Sequence, residues 1–523
     1  MTLKFSESPA VQIKEIDLTG VVPGVTSTTG AIVGDFNWGP VDTPVLIGNE
    51  AELAAVFGTP KSGKASAGHF LCAAHFLKYS SSLYVSRASS TDGDKASFAS
   101  EGLKIFTAKH PGKLGDSITV HVVNEDLWEN CPTGAVDDEG NVVFEPWPYQ
   151  NLFSDKPDDE LKELHVLVLQ GDDVVDTFEY VSYEKGDQLE NGTQNYIVDV
   201  VNSRSSWIEI NKTVDLSDGP FQVLTGPGAK LTGGEDGTAP SYDYSVFKNT
   251  SEIQVDFLIA PFASTAAIDG EVADIAFQRK DCVAVASVPY NDVVNGSFET
   301  YNTSLNKNSS YLVVDGNHIR VYNKYEDTYE WIPAASSTAG VMAATDAVSA
   351  PWFSPAGSRR GQYLGVTELL INPTKTERDV MYKLGINPIV SFSGQGVMLY
   401  GDKTHLTRPS AFDRINVRRL FLVIERAISQ AGENVMFEFN DEFTRAEFVN
   451  IVEPFLREIQ GRRGITDFRV VCDDTNNTPE VVDRNEFVAS CFIKPARSIN
   501  YVTLNFVAVR TGVEFEEVVG TTT

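Results

Sequence analysis

The segment Gly58-Thr-Pro-Lys-Ser-Gly63-Lys64 comes nearest to a catalytic device, because it matches the GxxxxGK spacing of a phosphate-cradling loop. That chemistry needs a preceding strand, glycines that bring N–H groups onto phosphate, and a hydroxyl directly after the lysine for magnesium. Here Ala65 stands at the hydroxyl position and Pro60 removes one amide donor. The residues before it, Asn49 to Phe57, read as a helix with Glu50 and Glu52 in its first turn and Gly58 as its cap. A loop between two helices is therefore the main reading, and a nucleotide hydrolase using Gly58–Lys64 is the alternative. The seven histidines form no HExxH, and His69 and His75, six apart on a helix, do not face each other. Cys472-Asp473-Asp474 with Asn476-Asn477 carries oxygens enough for calcium but lacks the Gly and distal Glu of an EF-hand loop. It reads as a cap between a strand and a turn. The five cysteines are scattered with no CxxC, which signals neither a disulfide framework nor zinc and favours a reducing compartment. The sequence predicts no catalytic residue, no metal and no cofactor.

The elements around these residues are those of a large globular chain. Its 523 residues suggest about three or four domains. Apolar residues at 42% and charged residues at 22% give an ordinary globular composition. A net charge of −30 argues against binding nucleic acid or an anionic membrane, since phosphates would be repelled. The longest uncharged stretch, Leu384 to Gly401, holds Gly, Asn, Pro and Gln and would not cross a bilayer. Met1 to Pro9 has no apolar run, so no signal peptide is expected.

The charge is uneven. Residues 351–523 hold 20 basic and 22 acidic residues, whereas residues 1–350 hold 22 basic and 50 acidic, a net of −28. Sixteen of the 20 arginines lie in the last third and 18 of the 22 lysines before it. Arginine suits bidentate, desolvated pairing and is enriched at protein–protein interfaces, so the last third reads as interface-forming. Residues 124–190, with 19 acidic and 3 basic residues, should protrude into water.

Hydrophobic period divides the chain further. Val11, Ile13, Ile16 and Leu18 alternate imperfectly with polar residues as one extended N-terminal arm. Residues 26–100 and 236–349 mix strands with helices, with buried-strand runs at Ala31 to Val33, Phe257 to Ala260 and Cys282 to Val288. Residues 101–235 read as all-β, with runs at Ser117 to Val123, His165 to Leu169, Thr177 to Tyr183 and Tyr196 to Val201. Phe412 to Ala431 reads as a helix stopped by Gly432. A second helix opens on a Thr444–Glu447 capping box, carries Phe448, Ile451, Val452, Phe455 and Ile459 on one stripe, and is interrupted by Pro454. A final strand, Ile499 to Arg510, sets Val502, Leu504, Phe506 and Ala508 on one side.

Several segments also resemble a known family in shared order. They are Ser8-Pro-Ala-Val-Gln-Ile-Lys-Glu15, Thr29-Gly-Ala-Ile-Val-Gly34, Trp38-Gly-Pro40, Phe353-Ser-Pro-Ala-Gly357 and Leu384-Gly-Ile-Asn387. Phe412 to Arg419, Phe437-Glu-Phe-Asn-Asp441, Val471-Cys-Asp473 and Ile493-Lys-Pro495 complete the set. Together they resemble the contractile tail sheath proteins of myovirus-type bacteriophages, over roughly the first hundred and last 175 residues. Ala10 stands where many members carry Gly.

The resemblance implies an α/β (α+β) multidomain fold. A sheath core domain would form from residues 1–25 and 350–523, with an inserted αβ domain at 26–100 and 236–349 and an outer, acidic, mostly β insertion at 101–235. It implies a non-enzymatic structural subunit of the virion, assembled in the host cytoplasm. The subunit would stack with itself in sixfold rings around a tail tube protein, between baseplate and neck or terminator proteins, and contract without nucleotide hydrolysis. Its arms, with Val11, Ile13, Ile16, Leu18, Val502, Leu504, Phe506 and Ala508, would join neighbouring sheets. Arg445, Arg457, Arg462 and Arg463 are the expected contacts to an acidic tube. A related bacterial injection device, or an acidic surface-layer or carbohydrate-binding protein, are the remaining readings.

Overall fold

A strand apolar at every position must be covered on both faces. Four strands, apolar but for Ser287 and Asp315 at two carboxyl ends, lie in one seven-stranded sheet built from β1 (Gly30–Gly34), β2 (Val45–Ile47), β3 (Leu83–Arg87), β4 (Phe257–Ile259), β5 (Val283–Ser287), β6 (Leu312–Asp315) and β7 (Ile386–Asn387). Strands β1, β4, β5 and β6 are buried at every residue. The order is β2-β3-β1-β4-β5-β6-β7, parallel throughout except for the antiparallel edge pair β2–β3. The computed structural model describes residues 28–61, 65–100, 103–136, 142–189, 191–213, 228–260 and 266–500. They fall into two compact units, one ending at Gln430 and one beginning at Ala431.

Helices α1 (Glu50–Phe57) and α2 (Ala65–Leu77) follow β2, with the Asn49 side chain capping α1 through the Glu52 amide at 2.9 Å. Gly58 ends α1 with φ 76°, a conformation open to glycine at little cost. The Gly58–Lys64 stretch thus follows a helix rather than a strand; residues 62–64 lie outside the described residues. Helix α3 (Ala335–Val348) is buried at nine successive positions, 335–343. Small residues let it approach closely: a Cβ added at Gly340 would sit 2.3 Å from the Tyr79 ring.

The region 101–235 builds a second core together with Trp38 and Ala96. Val120, Val166, Val168, Ile197 and Val201 cluster there, away from the main sheet's core. Its larger sheet pairs Asp173–Ser182, Glu163–Gln170, Ile118–Val123 and Ala229–Lys230 in that order, all antiparallel. One expected strand is corrected: Tyr196 to Val201 is the start of a helix, Ile197–Arg204. Ile197, Val198, Val200 and Val201 are buried and Asp199 is exposed, an i, i+1, i+3, i+4 stripe that overrides the β-branched composition.

Residues 350–430, grouped by sequence with the chain end, pack in the larger unit, where β7 pairs with β6. Helix α4 (Ile415–Glu433) starts later than Phe412, after a short 3-10 turn at Ala411–Asp413. It also runs through Gly432, because a glycine stops a helix only by turning left-handed, and Gly432 stays helical.

Candidate assembly surface

The second unit is built on helix α5 (Glu442–Gly461). Its first turn is capped by Asp441, whose carboxylate accepts the Thr444 amide at 2.9 Å, so the expected Thr444–Glu447 capping box is corrected by three residues. A carboxylate there also faces the positive end of the helix dipole. The buried face is Thr444, Arg445, Phe448, Val452, Leu456 and Ile459; Leu456 takes the place expected for Phe455, and Pro454 is exposed.

This face packs on a hairpin of β8 (Ile465–Val471) and β9 (Ser490–Pro495), paired with Asp467 opposite Lys494 and Arg469 opposite Phe492. The opposite face is wet. Lys494 Nζ holds Asp467 Oδ2 at 2.9 Å, and Phe492 is 61% exposed. Among the described residues neither strand has a third partner. Two strands alone are marginal, and open edges present N–H and C=O groups to any further strand.

A polar network fixes the end of the hairpin to the start of the helix. Asn440 Nδ2 donates to the Glu486 carbonyl at 2.7 Å, and Arg445 Nε donates to Asn440 Oδ1 at 2.7 Å while its guanidinium also pairs with Asp474. Asn477 donates to the Val488 carbonyl at 2.8 Å and accepts its amide at 2.9 Å. Asp473 Oδ1 accepts the Thr475 amide at 2.9 Å and Asn476 Oδ1 accepts the Asp473 amide at 3.0 Å. The side-chain oxygens of Asp473, Asn476 and Asn477 thus serve as turn caps, and that of Asp474 pairs with Arg445.

The expected site residues fare differently. The arm residues Val11, Ile13, Ile16, Leu18, Val502, Leu504, Phe506 and Ala508 lie outside the described residues. Arg445 is 7% exposed, its guanidinium engaged inside its own unit. Arg457, Arg462 and Arg463 are exposed at the carboxyl end of α5, where Arg457 and Arg462 pair one turn back with Glu453 at 3.3 Å and Glu458 at 3.4 Å.

Four further arginines depart from the interface reading of the last third, because the larger unit absorbs them. Arg414 pairs with Asp402 at 2.9 Å, and Arg418 lies between the rings of Tyr311 and Phe412, 4.2 and 4.1 Å from their centroids. Arg419 Nη1 donates to Asp346 Oδ1 at 2.7 Å while Nη2 holds the other carboxylate oxygen, and Arg426 pairs with Asp256 at 2.7 Å. The available signal was the reciprocal one: Asp256 and Asp346 interrupt otherwise apolar stretches.

The carboxyl end of the large sheet holds a polar cluster the sequence did not reveal. Asp315 accepts from Ser287 Oγ at 2.6 Å and Thr338 Oγ1 at 2.7 Å, and Tyr363 OH meets Thr338 Oγ1 at 2.6 Å. Ser287, Asp315 and Thr338 are completely buried, so the cluster ties β5 and β6 to the start of α3 and offers no entry to a substrate. Burial pushes Asp315 up to about 7 and Asp269, bonded to Tyr301 OH at 2.6 Å, up to about 8. Asp269 titrates near 3.8 when solvated, so the folded state keeps a proton that the unfolded chain loses. Its contribution is intact below pH 3.8 and is lost as pH rises through about 8. Asp269→Asn should therefore match wild type near pH 4 and gain stability steadily toward pH 8, by roughly 1.4 kcal/mol per pH unit at most. Urea midpoints at three pH values read this, and a difference that did not change with pH would refute it.

A buried, mostly parallel sheet in one unit and, in the other, a helix packed on a strand pair that has no third partner among the described residues define a mixed α/β protein of two compact units. Three family models match it. Residues 238–405 match the phage tail sheath protein central domain, 407–508 the phage tail sheath C-terminal domain, and 27–88 the tail sheath protein Gp18 domain III N-terminal region. The tail sheath protein of Vibrio phage KVP40 is 36% identical over 461 residues, covering 80% of this chain and 67% of its own. That of Enterobacteria phage T4 is 30% identical over 661 aligned residues, covering 98% and 99%. The chain belongs to the family of contractile phage tail sheath proteins. Its fold is shared with the sheath tail protein of Desulfitobacterium hafniense, at TM-score 0.57, 16% identity and coverage of 93% of this chain and 100% of that one. It is shared also with the contracted helical sheath of the anti-feeding prophage, at TM-score 0.54, 14% identity and coverage of 97% and 99%.

Proposed function

We propose that this sheath subunit polymerises as sixfold rings stacked helically around a tail tube protein, ending on baseplate and neck or terminator proteins. Its contraction would drive the tube through the host envelope for genome ejection. It would be a virion component, assembled in the host cytoplasm. The observation that carries this reading is the hairpin β8–β9, which has no third strand among the described residues and is followed in sequence by the alternating apolar residues Val502, Leu504, Phe506 and Ala508. Strand addition at such an edge is a general mode of peptide capture. The arms Val11–Leu18 and Val502–Ala508 of neighbours are the proposed added strands. Negative-stain micrographs of the purified protein test the reading: stacked-ring tubes are expected, and a solitary monomer at high concentration would end it.

Residues 101–235 are the proposed outer insertion, supported by their acidity and by their share in a second core distinct from that of the main sheet, while the sheath core gathers the chain ends. The subunit uses no cofactor and catalyses nothing in this reading. Lys64→Ala should then leave assembly unchanged, and phosphate release from ATP by wild type that vanished in this variant would revive the hydrolase alternative. The tube contact falls to Arg457, Arg462 and Arg463, exposed where cations also suit the helix dipole. Reversing all three to Glu should abolish co-assembly with the tube while sheath-only tubes still form; co-sedimentation at wild-type levels would remove these residues from that role.

A further inference from the structure

We infer that the aromatic cluster of His121, Trp128, Trp147 and Tyr149, in the acidic region, binds a neutral sugar residue of a glycan. Two buried polar side chains in that cluster have no partner. Trp147 is 2% exposed, and its indole Nε1–H meets no acceptor. His121 is 9% exposed and makes no hydrogen bond to a described residue. The two rings are neighbours, 6.1 Å between centroids, and the Tyr149 ring lies 5.6 Å from the first and 5.5 Å from the second. Buried polar groups are nearly always paired, so two orphans side by side call for a missing partner. His165, in the adjoining ring stack 4.6 Å from Phe153, shows the contrast. Its Nδ1 accepts the Tyr180 amide at 3.2 Å and its Nε2 donates to the Asp155 carbonyl at 2.8 Å, so it is a satisfied structural group.

The cluster is held in advance. Pro146 and Pro148 flank Trp147 and fix the backbone on either side of it. The Trp147 amide donates to the Trp128 carbonyl at 3.1 Å, and the two indoles lie 5.9 Å apart. The Gly228 backbone, at φ 102°, approaches the imidazole so closely that an added Cβ would stand 2.8 Å from His121 Nε2. Rings already fixed lose little freedom when a ligand covers them.

The chemistry of these groups selects the ligand. An indole N–H can only donate, so the ligand must offer it an acceptor. Burial lowers His121 to about 4, which leaves its imidazole neutral, a donor at one nitrogen and an acceptor at the other. A hydroxyl serves both needs. Trp128 and Tyr149, half-buried, are the rings that reach water, and ring faces with their negative quadrupole attract C–H groups. The 19 acidic against 3 basic residues of 124–190 repel an anion. A cation would suit the ring faces but would leave the indole N–H without an acceptor. An uncharged molecule with hydroxyls on one side and C–H groups on the other meets every condition, and a sugar ring has that form.

The test titrates the full-length chain with glucose, galactose, N-acetylglucosamine and maltoheptaose, read by calorimetry and by saturation transfer to the sugar C–H protons. At least one should bind with a Kd below about 10 mM. Tyr149→Ala and His121→Phe should each weaken that binding about tenfold, with thermal unfolding verifying the fold. Because Tyr149 lies at the surface, Tyr149→Ala decides the matter if His121→Phe does not fold. Absence of binding by all four sugars, equal affinity in wild type and Tyr149→Ala, or binding of putrescine in place of the sugars would each overturn the inference. No polymer is required, so such a failure leaves the sheath reading intact.

Discussion

Deleting residues 498–523, or residues 1–20, is expected to leave a folded, soluble chain that forms no tubes. Among the described residues, the main core runs from Ala31 to Leu422. Pairing an added strand gains about 1 kcal/mol net per backbone hydrogen bond. Ordering the same residues costs about 1–2 kcal/mol each. Backbone pairing therefore roughly cancels, and side-chain burial decides. Val502, Leu504 and Phe506 at about 1.5–3 kcal/mol each give at least about 4 kcal/mol per junction. Without them the concentration needed to polymerise should rise by about a thousandfold, since 1.4 kcal/mol is a factor of ten. Sedimentation velocity with micrographs reads assembly, and thermal unfolding verifies the fold. Normal tubes from either truncation would refute the strand-exchange scheme.

Arg419→Met should be the most damaging single change within the larger unit, costing about 3–5 kcal/mol. Asp346 and Arg419 have side chains only 5% and 4% exposed, so removing the guanidinium strands a buried carboxylate. The same substitution also removes a 3.0 Å hydrogen bond to the Met342 carbonyl and the stacking on Phe257, 4.8 Å from its centroid. Arg419→Lys keeps the charge but not the fork, and should fall between. The exposed pair Arg457–Glu453 is the contrast. With side chains 69% and 39% exposed it should contribute under about 1 kcal/mol when broken. Urea midpoints for the three variants decide the point, and an Arg419→Met loss as small as that of Arg457→Met would contradict it.

Much of the scaffold was legible because it obeys one rule at a time. The buried strands at 257–259 and 283–287 show as apolar runs, and α1 shows by its cap and its glycine. The family resemblance rested on short segments in shared order, and the comparisons bear it out. Misreadings came where two rules competed. Ile197–Arg204 is rich in β-branched residues, yet its buried stripe has helical period. Asp441 outcompeted Thr444 as a cap because an ionised carboxylate meets both the free amide and the dipole.

Composition and pattern, taken alone, determined the kind of molecule: an acidic, mixed α/β chain without a legible catalytic set. Where its arginines go was decided only by tertiary structure. An arginine looks identical in sequence whether it waits for another subunit or neutralises Asp256 or Asp346 beneath its own helix. Which fate applies depends on whether folding brings a carboxylate within reach while excluding water, and that is a property of distances between residues far apart in the chain.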